Sequence, residues 1–445
     1  MKGFVTATID SIVPVLVRII GKEYAGKLID NFAPNGLISF GSTASPGKDL
    51  VAKDKYINSF MKCVNNVRLA GNLQLMIDSG GFQVVVGRIP IRELDKFIEY
   101  YGTFLNDHYD QYEEAFILDL PTSFPGGVKE LYEMNLKSYK RMIELVGYEK
   151  LMFIAHFRDI MYFDAWKKMI YEDGIMDKFK LFSLAGLVLS TAISKVTPIS
   201  LYAIGMSLIL CRMVEMKATG TYRMHILGNA SPKQVLIFYL MKELIDKVYN
   251  IQLEMSYDSA AAAKKVMLGR FIEMFNEDHT VSKIELKYED LDAKNVKHIH
   301  KTNRELLLSE VNDMADIIGF DKSKINEHVY TSRTSPFDDT IRPFIMLLDN
   351  YQQMKIDTYC QNVSKELVSN FLKTGDITKE LFDVIYALNS FKSRNVCELM
   401  SYRYQKSLEF LSQNLNIEYV EGFMRTYIAI TDTVVNQTKN PCWDL

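Results

Sequence analysis

The chain contains no CxxC pair. Its five cysteines, Cys63, Cys211, Cys360, Cys397 and Cys442, are odd in number and widely scattered. That argues against a zinc ribbon or a thiol redox motif and fits a reducing, cytoplasmic setting. Long hydrophobic runs are also missing. The most apolar stretch, 181–214, is broken by Lys195, Pro198 and Arg212 before it reaches the roughly 20 apolar residues of a membrane span. It reads as a buried strand followed by a core helix, and no membrane partner is expected. Near the amino terminus Asp10 interrupts the apolar run and no small-residue cleavage site follows, so no signal peptide is expected. The formal net charge of −3 leaves any nucleic-acid contact to local patches. There is no GxGxxG at a first strand-helix turn, which weakens the case for an open doubly wound sheet. Apart from the run Ala260 to Ala263, no repeat or low-complexity tract is evident.

What is present is apolar content and rhythm. With 445 residues, 48% of them hydrophobic, the chain can bury two or three domains, or one large barrel with an appendage. Short apolar runs ending in a polar residue or glycine recur through the first 260 positions: LQLMID to Asp78, EAFILD to Asp119, KLMFIAH to His156, KLFSLAG to Gly186, YRMHILG to Gly228 and IQLEMSYD to Asp258. Their ends fall 41, 37, 30, 42 and 30 residues apart, about the length of a βαβ unit, roughly 30 or more residues. Amphipathic segments fill the intervals: IRELDKFIEYYGTFL, VKELYEMNLKSYKRMIELV and SPKQVLIFYLMKELIDKVY. Two earlier runs, GFVTATID and GLISFGS, complete a set of eight strands. The expected fold is α/β: a (β/α)8 TIM barrel over residues 1–275, then a mostly helical carboxyl-terminal region, 276–445, available for nucleic-acid contact.

In a barrel, the loops at the carboxyl ends of the strands build the active site. Asp78, Asp119, His156, His225 and Asp258 therefore become neighbours by topology. Each acid alone reads more readily as a helix cap or turn residue than as a catalyst; three at the ends of separate strands suggest a functional cluster. Beyond residue 263, KYEDLDAKNVKHIHKTNREL reads as a solvated charged surface. His298 and His300 within it have no obvious third metal ligand.

The segment DSGGFQ, residues 78–83, resembles the signature of the tRNA-guanine transglycosylase family, which exchanges a guanine base in an intact polynucleotide for a 7-deazaguanine. FILDLPTSFP, FSLAGLVLS, HILGNASPKQV and YDSAAAAK follow in that family's order, so the resemblance covers about residues 73–264. It implies base exchange through a covalent glycosyl-aspartate, with an oxocarbenium-like transition state. Asp258 would be the nucleophile. Asp78 would move a proton to the departing guanine and from the incoming base, a role suited to a carboxyl whose pKa is raised by burial. Asp119 would accept hydrogen bonds from the guanine edge, and Phe82 would stack on the base. The expected substrate-binding set is Ser79, Gly80, Gly81, Phe82, Gln83, Asp119, His156, Gly186, Leu187, His225 and Gly228. Gly80 and Gly81 would let the backbone turn and approach a planar ligand.

Three departures from the tRNA-acting pattern stand out. No CxCxxC follows the presumed nucleophile, so no zinc or other cofactor is expected. Ser259-Ala260-Ala261 follows Asp258 in place of proline-threonine-arginine, and His156-Phe157 replaces a glutamine-rich segment. These features are more similar to the DNA-modifying branch found in bacteriophages and bacterial islands. That similarity implies DNA and a base such as 7-cyano-7-deazaguanine as substrates, with a helicase-like or other DNA-opening partner possible. The alternatives are a tRNA enzyme of the same chemistry, a non-catalytic nucleic-acid-binding subunit, and an unrelated barrel glycosidase.

Overall fold

The computed structural model of the protein describes residues 2–5, 9–43, 53–69, 71, 73–121, 124–156, 160–185, 208–228, 232–248, 250–259, 271–279, 281–285, 288–290, 297–299, 301–325, 328–329 and 340–374. Eight parallel strands carry the first part of the chain: β1 (Lys2–Val5), β2 (Asn35–Ser39), β3 (Gln74–Asp78), β4 (Glu114–Phe116), β5 (Leu151–His156), β6 (Leu181–Ala185), β7 (Thr221–Ile226) and β8 (Gln252–Ser259). Each pairs with its neighbour in chain order, and β1 also pairs with β8, Phe4 lying opposite Asp258. Every residue of β2, β5 and β6 is buried. Parallel strands covered on both faces require such unbroken apolar runs.

Helices alternate with the strands: α1 (Ile9–Phe32), α2 (Lys53–Arg68), the short α3 (Gly81–Val85), α4 (Leu94–Asp107), α5 (Gly127–Val146), α6 (Ile160–Tyr171), α7 (208–215) and α8 (Pro232–Val248). The segments read as helices from their periodicity are α4, α5 and α8. In α4 the buried side chains Leu94, Phe97, Ile98, Tyr101, Phe104 and Leu105 recur at three- and four-residue spacing, which makes one apolar stripe. That stripe meets Phe40, whose ring centroid lies 4.9–5.7 Å from those of Tyr56, Phe60, Phe97, Tyr101 and Phe104. Aromatic clusters of this kind add edge-to-face attraction to the burial of apolar area. The 181–214 stretch yields the buried strand β6 and, in α7, a helix with Leu208, Ile209, Leu210 and Met213 buried. No described helix is long and apolar enough to cross a membrane.

Beyond β8 the chain forms an antiparallel hairpin, β9 (Phe271–Phe275) with β10 (Val281–Glu285). A three-stranded antiparallel sheet follows: β11 (Tyr288–Asp290), β12 (Lys297–Ile299) and β13 (His328–Val329). Sequence periodicity gave no sign of these short strands. Two helices, α9 (Lys301–Ile318) and α10 (Arg342–Thr374), also lie in this part of the described chain. The boundary at residue 275 falls between the two strands of the hairpin. α10 packs against α8, α1 and β1, on the outside of the sheet where β8 meets β1. The helix-like segments TKELFDVIYALNSF (378–391) and CELMSYRYQKSLEFLSQNL (397–415) lie outside the described residues, as does His300.

At the amino ends of the strands, buried Glu114 pairs with Arg223, which also reaches Glu254 at 2.9 Å. This network ties β4, β7 and β8 together on the face opposite the candidate site.

Candidate functional site at the carboxyl ends of the strands

Asp78 is the last residue of β3, opposite Ser39 at the end of β2. As a residue it keeps some exposed surface, but its carboxyl is enclosed by protein. Burial is the largest influence and pushes its pKa up to about 6; the Ser39 hydroxyl and the Gly80 backbone pull down, and the negative charges of Asp119 and Asp258 push up. Asp119 and Asp258, the other two acids singled out in the sequence, therefore both lie within electrostatic reach of Asp78. Beneath them the Tyr101 hydroxyl donates to the Phe116 carbonyl at 2.7 Å, and burial raises its pKa well above the usual value.

Asp119 lies three residues beyond the last residue of β4 and is held from outside the strand ladder. Fully buried Asn135, on the inner face of α5, brackets the adjacent peptide: the Leu120 N–H donates to Asn135 Oδ1 at 2.6 Å, and Asn135 Nδ2 donates to the Leu120 carbonyl at 3.0 Å. The Ser138 hydroxyl donates to the Leu118 carbonyl at 2.6 Å. The Asp119 carboxylate has two partners, His156 Nε2 at 2.6 Å from Oδ2 and the Ser79 hydroxyl at 3.5 Å from Oδ1. His156, at the end of β5, is 1% exposed, and its Nδ1 has no hydrogen-bond partner among the described residues. The ring of Trp166 packs edge-on against it, with centroids 5.3 Å apart.

Asp258, near the end of β8, forms a second aspartate-histidine pair. Its Oδ1 accepts from the Gly228 backbone N–H at 2.5 Å and lies 3.2 Å from His225 Nε2. The other ring nitrogen, Nδ1, lies 2.8 Å from Ser256 Oγ. His225 has no exposed surface and packs edge-on against Phe116.

The glycines of DSGGFQ meet protein backbone. Gly80 has φ +87°, and a Cβ there would lie 2.5 Å from the Cα of Gly41; a Cβ on Gly81 would lie 1.6 Å from the carbonyl oxygen of Asp119. Their small size brings three loops into contact, whereas the sequence alone suggested close approach to a ligand. Phe82 projects outward, 53% exposed, and Gln83 Oε1 is buried without a partner. Gly186 and Leu187 lie outside the described residues.

Four residues of this neighbourhood escaped the sequence reading: Ser39, Asn135, Ser138 and Ser256. Ser256 carried a usable signal, since residues two apart on a strand share a face and Ser256 stands two before Asp258. Asn135 and Ser138 are polar residues on the apolar stripe of α5, which also marks them in retrospect.

Among the described residues, no group of three His, Cys, Asp or Glu side chains is arranged to hold a metal ion. Among the described residues, Cys63, Cys211 and Cys360 form no disulfide. No protein-family model matches the chain, and no curated protein matches it.

Proposed function

We propose that the protein is a guanine transglycosylase built on a complete (β/α)8 barrel, exchanging guanine in DNA for a 7-deazaguanine base. The observation that carries this reading is the unequal environment of three neighbouring carboxyls. Asp78 is pushed up to about 6, where it can both give and take a proton near neutral pH. Asp258 is instead held in place through one oxygen, by the Gly228 backbone N–H and by His225.

The reaction proceeds by double displacement. A carboxylate oxygen of Asp258 bonds to the anomeric carbon as the bond from that carbon to guanine N9 breaks. The electron pair stays with guanine, which receives the Asp78 proton. In the second half the incoming base loses its N9 proton to Asp78, and its nitrogen bonds to the anomeric carbon. The bond to Asp258 then breaks. Asp119 accepts hydrogen bonds from the base edge through Oδ1, the oxygen that His156 leaves less engaged.

Exposed Phe82, Val86 and Ile91, with Arg88 close by in sequence, provide apolar and basic groups on the segment that follows Asp78. Such groups suit a polynucleotide whose target base must leave the stack.

The test is incubation with guanine-containing DNA or tRNA and each 7-deazaguanine base, followed by mass spectrometry of the nucleosides. Incorporation into DNA is expected. Incorporation into tRNA alone would reassign the substrate, and incorporation into neither would overturn the activity.

A further inference from the structure

A carboxylate that must attack a sugar carbon needs one oxygen held and the other left free. At Asp258 both donors fall on Oδ1, the Gly228 N–H at 2.5 Å and His225 Nε2 at 3.2 Å, and no described residue donates to Oδ2. We infer that His225 is a positioning residue that fixes the Asp258 carboxylate so that Oδ2 is the attacking oxygen, and that Ser256 anchors the ring of His225 through its other nitrogen. This inference rests on the base-exchange reading.

A carboxylate accepts, so Nε2 presents a hydrogen to Asp258, while the Ser256 hydroxyl, able to donate or accept, holds Nδ1 at 2.8 Å. Torsion about the last bond of an aspartate side chain is soft, and two donors on one oxygen remove that freedom. Ser256, His225 and Asp258 sit on adjoining strands, with Ser256 opposite His225 in the β7–β8 register. Phe116 braces the ring, whose centroid lies 5.1 Å from its own. Having no exposed surface, His225 acts on the substrate only through Asp258.

The experiment is single-turnover formation of the covalent adduct between protein and a guanine-containing DNA or tRNA oligonucleotide, with melting temperature as the control for folding. His225→Leu keeps apolar volume and removes the donor. It is expected to slow adduct formation on the order of 10²-fold, the cost of a small misplacement of a reacting group, while leaving affinity for the free 7-deazaguanine base unchanged. His225→Gln, whose amide nitrogen can reach the place of Nε2, is expected to recover about tenfold of that loss by restoring one charge-assisted hydrogen bond. Ser256→Ala should slow the same step about tenfold, the effect of roughly one lost hydrogen bond.

Adduct formation at the wild-type rate in His225→Leu, or no recovery in a folded His225→Gln, would overturn the inference while leaving the base-exchange reading intact. A wild-type protein that forms no adduct with either polynucleotide would overturn both. Should His225→Leu fail to fold, Ser256→Ala decides alone: slowing at unchanged base affinity supports the assignment, and a wild-type rate overturns it.

Discussion

The hydroxyl of Tyr257 lies 2.8 Å from each carboxylate oxygen of Asp357, joining β8 to α10 across 100 residues of chain. Burial pushes the Asp357 pKa up to about 6, and the Tyr257 hydrogen bond offsets part of that rise. Consecutive strand residues point to opposite faces, so Tyr257 faces α10 while Asp258 faces the barrel interior. Tyr257→Phe should destabilise the protein by about 1–3 kcal/mol, the cost of a lost partner for a buried polar group. The deficit should be larger at pH 8, where Asp357 is ionised, than at pH 5, and urea unfolding at the two values measures it.

Asp78 gives a second dependence on pH. Its folded pKa of about 6 exceeds the value of 3.8 for an unperturbed group, so the folded state binds the proton more tightly than the unfolded state. Stability from this group is complete below pH 4 and is lost as pH rises through about 6. Asp78→Asn should therefore raise stability above pH 7 by about 2–3 kcal/mol and have little effect near pH 4. A thermal melting series over that range checks the sign.

The same carboxyl should shape the kinetics. In the proposed reaction adduct formation would need protonated Asp78 and should fall about tenfold per pH unit well above 6, whereas release of the exchanged product would need the carboxylate and should fall below 6. Single-turnover rates for the two half-reactions resolve the opposing slopes, and Asp78→Asn should abolish both.

Asn135 brackets the Leu120 peptide and so fixes the segment that carries Asp119. Asn135→Ala removes both hydrogen bonds within the core and is expected to cost about 2–4 kcal/mol, from two unpaired buried backbone groups. Base affinity should weaken with it. The conservative Asn135→Asp retains the acceptor for the Leu120 N–H and should recover part of the loss, as isothermal titration with the free base would register.

Gly81→Ala tests the contact between loops. The added methyl cannot coexist with the Asp119 carbonyl 1.6 Å away, so one loop must move, at about 1–3 kcal/mol for forced overpacking. Phe82→Ala should instead leave melting unchanged, since the ring is 53% exposed, and weaken polynucleotide binding by about 1–3 kcal/mol if it stacks on a base. Fluorescence anisotropy with a labelled oligonucleotide reads the second effect.

Much of the scaffold was legible because its periodicities are strong. The run LQLMID becomes β3 with Asp78 as its final residue, and the stripe of α4 follows from its apolar spacing. The convergence of Asp78, Asp119 and Asp258 followed from parallel topology alone. The histidine pairings did not, because Asp119–His156 and Asp258–His225 depend on side-chain geometry across neighbouring strands. The short strands β11 to β13 escaped notice because two or three residues are too few to establish a period. Asn135 was hidden by its place in a helix that otherwise reads as an ordinary amphipathic one.

At Gly80 and Gly81 the loops after β2, β3 and β4 touch with no room for a single added carbon. The loops that carry Asp78 and Asp119 consequently cannot move closer together, because such a shift drives backbone into backbone. Their separation works as a ruler cut by the main chain. A pocket gauged in this way would accept or refuse a flat heterocycle by its width, and exchanging the side chains that line it would leave that gauge unaltered.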